Sequence, residues 1–331
     1  MTRRLSVRLL CCVFAALLLS APGCAPRVSL FGPASDPLRE YALAEGAGGK
    51  VLVVHVNGFL GLSPRRGLTG ERPGEVQEVL ARLKRAAGDP DIKAVVLAIN
   101  SPGGTVTASD VLYSEIMRYK EKSGAKVVAC LLDVAASGGY YAAAAADRIV
   151  AHPTTLTGSI GTIFIRPDVA GLMDLVGIRA EVSKSGRLKD MGSPLRASTE
   201  EERDLLRKII ENHNARFLSV VSERRALTGE RLAAVADARI FTGPQALQAG
   251  LVDEVGYMED ALAEARKLAQ LPEDCPVVVY RRAEQYDDTP YNAVSSAAPA
   301  ATASLLPEGA ARALSLPPAG FHYLWALGYF Q

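Results

Sequence analysis

Three short stretches of this 331-residue chain hold side chains that could do chemistry. Asn100-Ser101-Pro102-Gly103-Gly104 and Ala136-Ser137-Gly138-Gly139 each set serine beside paired glycines. Paired glycines permit positive φ and leave their amides unobstructed, as a loop that stabilises an oxyanion requires. The third stretch, SKSGRLKDMGSP (Ser183 to Pro194), is a polar loop with two amines, Lys184 and Lys189. Phosphate binding is the rival use of glycine loops, but neither GxxxxGK[ST] nor GxGxxG spacing occurs in them.

Ser137 admits two readings. Before the run YYAAAAAD it reads as a helix N-cap, which is its ordinary use. As a nucleophile it needs a base, and the four histidines are poor candidates: His55 lies inside a strand-like run, His152 after a strand, His213 on a helix and His322 near the C-terminus. None has a polar loop setting with an acidic neighbour, so a Ser-His-Asp triad finds no support, with His152 the one histidine left open. Lysine is the other option. An ordinary lysine is neutral in only about 4 molecules in 10,000 at pH 7, so it acts as a base only where burial or a nearby cation lowers its pKa. Spacing alone establishes no Ser-Lys pair.

These loops need elements to position them. VLVVHV (Val51 to Val56) is a near-continuous β-branched and leucine run, the pattern of a strand buried on both faces. In EVQEVLARLKRAA the residues Val76, Val79, Leu80 and Leu83 fall on one helical face. The unit repeats: strand Ala94 to Ile99, loop NSPGG, helix from about Thr107 to Lys120, strand Lys126 to Leu132, loop, helix from about Gly138 to Ala146, strand Arg148 to Ala151. Strands alternating with helices imply an α/β domain around a parallel sheet. Both glycine loops then fall where strands end and helices begin, the place where α/β folds collect reactive groups. A capping-box pattern at Ser198-Thr199-Glu200-Glu201 opens a long helix with Leu206, Ile210, Phe217 and Val221 on one stripe, running to about Arg225. Ile240 to Gly256 reads as strand, turn, short helix and strand, and Val277 to Tyr280 as a last strand.

The chain begins MTRRLSVRLLCCVFAALLLSAPGCAP, with arginines ahead of an apolar run from Leu9 to Leu19 that is too short to span a bilayer and reads as an export signal. Ala21-Pro22-Gly23-Cys24 resembles a lipoprotein processing box, making Cys24 a lipidation candidate; plain cleavage and an uncleaved anchor stand beside it. The expected organisation is a signal or anchor over 1–23, a tether over 24–49, one catalytic domain over 50–282, and a low-complexity linker with an apolar tail over 283–331. That tail, Phe321 to Gln331, reads as a segment packed on its own or a neighbouring core, with docking into the substrate groove as the sharper alternative. Cys130 and Cys275 have no metal-ligand spacing and read as two separate buried thiols, although export would permit a disulfide. Formal charge is +1 from 37 basic and 36 acidic residues, so nothing in the balance points to nucleic acid.

Taken in order, NSPGG, DVAASGGYYAAAAADRIVAHPTTLTGSIG, SGRLKDMGSP and RIFTGPQALQAGLVDEVG resemble the SppA-type signal peptide peptidases in their short, single-core form. The resemblance runs over roughly residues 50 to 257. It implies a ClpP/crotonase-like fold of repeated ββα units and a serine endopeptidase with a Ser-Lys dyad. It implies Ser137 as nucleophile, Lys189 as general base with Lys184 behind it, and Ser159 as the hydroxyl that orients the lysine. The oxyanion hole would be formed by Gly103, Gly104 and Gly138. No cofactor or metal is implied. The implied partners are hydrophobic peptides such as released signal peptides, met at the extracytoplasmic face of a membrane to which the N-terminus tethers the enzyme. A homo-oligomeric ring with sites shared between subunits is implied as well. A crotonase-like enzyme acting on acyl thioesters and an inactive protease-like scaffold are the alternatives.

Overall fold

Each β-branched run becomes a strand buried on both faces. In the computed structural model, which describes residues 37–67, 70–286, 288–292 and 319–325, all described residues belong to one compact unit spanning Pro33–Gln331. The chain order begins β1 (Arg39–Ala44), β2 (Lys50–Asn57), a hairpin of β3 (Arg65–Gly67) and β4 (Gly70–Arg72), and α1 (Glu75–Ala86). It continues with β5 (Ile92–Ser101), β6 (Gly103–Thr105), α2 (Val106–Ser123), β7 (Lys126–Ala136), α3 (Gly138–Ala143), β8 (Arg148–Ala151), β9 (Leu156–Gly158), β10 (Ile163–Ile165) and α4 (Ala170–Leu175). The second half adds α5 (Glu200–Arg225), α6 (Gly229–Ala233), β11 (Ile240–Thr242), α7 (Gly243–Gln248), β12 (Glu254–Val255), α8 (Met258–Ala269), β13 (Val277–Arg281) and β14 (Gly320–Leu324).

The main sheet runs β1-β13-β2-β5-β7-β8-β12, parallel throughout except for the antiparallel edge strand β1. β7 is long enough to take two partners in succession. Val128 to Leu131 pair with β8, and Val134 to Ala136 pair in parallel with β9, which then pairs antiparallel with β11. Strand alternation sorts the core into two faces. Leu52, Val54 and Val56 face α1, α2, α3 and α5 through Val79, Leu112, Tyr141 and Phe217, whereas Val51 and Val53 face α8 through Met258, Ala261 and Leu262.

The core starts earlier than Lys50. Arg39–Ala44 lie in the expected tether, yet they form β1 along β13, and Lys50 Nζ lies 2.8 Å from Glu40 across that edge. Only one side of an edge strand is paired and this one is half covered, so it carries no apolar run for the sequence to reveal. The capping box of α5 forms one residue beyond the expected start: Thr199 Oγ1 accepts from Glu202 N–H at 3.2 Å and Glu202 Oε2 accepts from Thr199 N–H at 2.9 Å. Cys130 and Cys275 are separate, buried, free thiols, and burial pushes the Cys130 thiol up to about 12. Among the described residues no helix is long and apolar enough to cross a membrane, and no cluster of His, Cys, Asp and Glu could hold a metal. The N-terminal signal or anchor and Cys24 lie outside the described residues.

Candidate active site

Ser137 sits at the junction of β7 and α3, with φ 52° and ψ −114°. Only glycine adopts such a backbone without strain, so serine here costs about 1–3 kcal/mol. It precedes a helix, as the cap reading required, but its side chain makes no capping bond. Instead Ser137 is 1 % exposed and its Oγ has no hydrogen-bond partner among the described residues. A buried hydroxyl left unpaired is costly, so Ser137 carries two local costs, the strained backbone and the unpaired Oγ.

Just past the neighbouring parallel strand stands a second serine with the same positive φ. Ala136 stands opposite Gly158, Ser137 N–H donates to Gly158 O at 2.8 Å, and Ser159 follows with φ 52°. Ser137 and Ser159 are thus brought to adjacent strand ends, with Ser159 anchored by its own N–H to Arg239 O at 2.8 Å.

The two glycine loops also converge. A Cβ added to Gly103 would lie 2.7 Å from Gly138 N, and one added to Gly138 would lie 3.1 Å from Gly104 N, so side chains are excluded from the gap between the loops. The amides differ in what they do. Gly103 N–H donates to Ser101 Oγ at 3.1 Å, and that hydroxyl donates onward to Gly58 O at 2.6 Å. Leu60 N–H donates to Gly103 O and Thr105 N–H donates to Leu60 O, so the Gly103 carbonyl and Thr105 amide face one side of β6 while Gly104 faces the other. Gly138 heads α3, and its N–H has no intrahelical acceptor. Gly104 and Gly138, rather than Gly103, point amides into the gap.

The gap is filled by the chain's own C-terminal strand. β14 lies antiparallel between β6 and β10, with Tyr323 opposite Gly104 and Ile163 opposite His322. Trp325 N–H donates to Pro102 O at 2.8 Å, and because antiparallel pairs alternate, Tyr323 and Gly104 form the next hydrogen-bonded pair. The Tyr323 carbonyl therefore faces Gly104, 3.0 Å from where a Gly138 Cβ would stand. Phe321 to Trp325 pack on the chain's own core, with Tyr323 and Leu324 buried and Phe321 against them; the residues beyond lie outside the described chain.

Neither lysine of the loop hydrogen-bonds Ser137 within this chain. Lys189 is exposed in a turn, with no ion pair or side-chain hydrogen bond recorded for it among the described residues. Lys184 Nζ is paired with Asp190 at 2.6 Å. Arg196 clamps the loop onto the start of α5 by contacting Asp190 Oδ2 at 2.9 Å and Glu202 Oε2 at 2.9 Å. Arg196, then Lys184, hold the Asp190 carboxyl well below the usual range, and Arg196 with the Thr199 amide brings Glu202 down to about 2. Two of the histidines are engaged elsewhere. His55 is buried and bonded to Pro290 O at 2.8 Å, and His152 bonds Thr154 at 2.9 Å beside Tyr257.

Sequence reasoning missed the side chains around the docked strand. Tyr141 on α3 and Phe217 on α5 flank the Tyr323 ring, and of the two only Phe217 was read in the sequence, as a core position of its helix.

Comparison with known proteins identifies the family. The model of peptidase family S49 matches residues 119–272, and the Clp protease model matches residues 73–156. A protein named for signal peptide peptidase SppA in Enterococcus faecium is 36% identical over 248 residues, 75% of this chain and 72% of that protein. Protease 4 of Salmonella typhi is 35% identical over 70% of this chain and 37% of its own length. The chloroplastic serine protease SPPA of Arabidopsis thaliana is 34% identical over 59% of this chain and 29% of its own length. With its parallel-rich sheet and its Clp protease match, the fold is the ClpP/crotonase-like α/β core. The chain belongs to peptidase family S49, the family of the SppA-type signal peptide peptidases, and is a serine-type peptidase.

Proposed function

We propose that this chain is an endopeptidase acting on extended hydrophobic peptides, with Ser137 as nucleophile and Lys189 of a neighbouring copy as general base. The observation that carries the reading is the strained, buried Ser137, its Oγ unpartnered, beside a groove that holds an extended segment by backbone pairing. Peptide substrates would add to β6 and β10 in the same way, gaining affinity from main-chain hydrogen bonds.

In the proposed reaction, neutral Lys189 removes the Ser137 hydroxyl proton as Oγ bonds to the carbonyl carbon. Negative charge on the carbonyl oxygen is met by the amides of Gly104 and Gly138, with Gly103 holding the loop through Ser101. The C–N bond breaks as the lysine gives its proton to the departing amine. Water then attacks the acyl-serine, losing a proton to the same lysine, and the acid leaves Ser137 regenerated. Ser159, one residue past the Ala136–Gly158 pairing, stands where its hydroxyl could orient the lysine that enters.

Two features support a base supplied by another copy. Lys189 is exposed while Ser137 is buried, and the pairing of Lys184 with Asp190 leaves Lys189 as the loop's uncommitted amine. The segment leading to that loop also exposes Leu172, Leu175, Val176, Ile178 and Val182, between 49% and 82% each. An apolar stretch of this kind calls for cover, and a second copy laid over it would carry the loop to a neighbour's Ser137. A solvent-exposed lysine is a poor base, whereas one desolvated in such an interface gains neutral fraction. The apolar N-terminal run and Cys24 would tether the enzyme at the extracytoplasmic membrane face, where released signal peptides collect. Purified Ser137→Ala and Lys189→Ala should each lose peptide hydrolysis while keeping the wild-type circular dichroism spectrum, and Lys184→Ala should keep activity. Turnover retained by either of the first two overturns the dyad.

A further inference from the structure

Strand β7 reaches Ser137 by way of a bulge. From Ile99 to Ser101 β5 advances two residues, while its partner β7 advances four, from Leu131 to Ala135. Leu132, Asp133 and Val134 therefore stand against Asn100 alone. At about 3.3 Å of rise per residue, the two surplus residues take up roughly 6–7 Å of strand. The register that results pairs Ser101 with Ala135 and brings Ser137 level with Gly103, where a Cβ on Gly103 would stand 2.7 Å from Gly138 N. In an unbroken ladder Ser101 would face Asp133, and Ser137 would overshoot the glycine loop by that length of strand.

A bulge takes ladder groups away from their partners, and the buried ones need new ones. Two side chains from different elements supply them. Asn100 Oδ1 accepts from the Val134 N–H at 3.2 Å. The Asn100 carbonyl accepts from Gly58 N–H at 2.8 Å, so this residue is tied to the segment after β2 while it grips β7. From the other side Thr155, fully buried just ahead of β9, donates through Oγ1 to Leu131 O at 2.7 Å and also touches Leu132 O. Past this point β7 changes neighbours. Val134 takes Leu156 as its partner, Ala136 takes Gly158, and Ser137 N–H closes on Gly158 O at 2.8 Å.

We infer that Asn100 and Thr155 are positioning residues for the nucleophile: together they fix the bulge in β7 whose length sets Ser137 against the oxyanion loop. The inference rests on the proposed role of Ser137. Each side chain acts through a backbone group of β7, the Val134 N–H for Asn100 and the Leu131 carbonyl for Thr155. A misplacement of about 1 Å in a reacting group costs on the order of a hundredfold in rate, so even a small relaxation of the bulge is felt in turnover. The strands proposed to pair with substrate, β6 and β10, lie outside β7, so binding is spared.

The test, in the full-length chain, compares Asn100→Ala and Thr155→Val, which each remove one clamp group, with Asn100→Asp and Thr155→Ser, which keep the acceptor or the hydroxyl. On a fluorogenic hydrophobic peptide, kcat should fall about 10–100-fold in the first pair with KM within about twofold, and fluorophosphonate labelling of Ser137 should slow in step. The conservative pair should stay within about threefold of wild type. Hydrogen exchange gives a readout separate from activity: amides from Val134 to Gly139 should exchange at least about fivefold faster in the first pair, with those from Val127 to Ala129 unchanged. If Asn100→Ala does not fold, Thr155→Val, which exchanges a hydroxyl for a methyl of similar size, carries the test. A kcat within about twofold of wild type in the first pair, or an equal loss in the conservative pair, overturns the clamp and leaves the peptidase reading standing. Wild-type hydrolysis that survives Ser137→Ala defeats the peptidase reading, and exchange then decides the clamp: faster exchange beyond Val134 supports it and unchanged exchange overturns it.

Discussion

Removing the nucleophile should stabilise this protein, and by an amount that depends on what replaces it. Ser137 is held at φ 52°, ψ −114° with its Oγ buried and unpartnered. Ser137→Ala removes the unpaired hydroxyl, a gain of about 1–2 kcal/mol, but keeps the Cβ that makes the backbone strained. Ser137→Gly removes the hydroxyl and also the strain of about 1–3 kcal/mol, less the roughly 0.5–1 kcal/mol of extra chain entropy that glycine loses on folding. The expected gains are therefore about 1–2 kcal/mol for alanine and about 1–4.5 kcal/mol for glycine, each kcal/mol raising Tm by roughly 2–4 °C in a domain of this size. Scanning calorimetry of the three purified chains at one concentration, paired with peptide hydrolysis, is the assay. The expected order is glycine above alanine above wild type, with activity lost in both variants. If both variants melt below the wild-type chain, the backbone at Ser137 is not strained and its hydroxyl is satisfied, and the reasoning that marks it as the nucleophile fails.

Mixing the two inactive variants tests the sharing of sites: Ser137→Ala and Lys189→Ala chains, unfolded together and refolded into one oligomer, should recover activity up to about a quarter of wild type, since a site needs one intact group from each kind of chain. A mixture as inactive as its parts would put serine and lysine in the same subunit. His55 should make stability fall in acid. Burial lowers its pKa from 6.5 to about 4, so the neutral form that the fold requires is fully present above pH 6.5 and must be protonated against the fold as pH drops toward 4. The loss across that window is about 3 kcal/mol, read by urea unfolding at pH 7 and pH 4, and His55→Gln should flatten the difference. Deleting residues after Gly320 should raise the rate on short peptides, because the groove along Gly104 is then open; unchanged kinetics would mean that added peptides displace the strand freely.

The parallel core was legible because each of its strands is apolar on both faces: Val51 to Val56, Ala94 to Ile99 and Lys126 to Leu132 stand in the structure where their composition puts them. β1 was hidden since an edge strand carries only half a pattern, and Arg39–Ala44 reads as linker without its partner Val277–Arg281. Gly320–Leu324 was hidden for a different reason. Its pairing with Gly103–Thr105 is long-range and made by backbone groups, which leave no side-chain periodicity to read. At the site, glycines advertised the two loops, and Ser137 followed from them. The division of labour between Gly103, whose amide Ser101 holds, and Gly104, whose amide faces the groove, depends on strand register and could not be read from adjacent identical residues. Phe217 looked like core because it is core.

The central claim is that Ser137 is a nucleophile activated by Lys189. A fluorophosphonate probe incubated with the assembled full-length chain, followed by peptide mass spectrometry, tests it most directly. The account predicts phosphonylation of Ser137 that disappears in Lys189→Ala and persists in Lys184→Ala. Labelling of another serine, or labelling of Ser137 that is indifferent to Lys189, would contradict it.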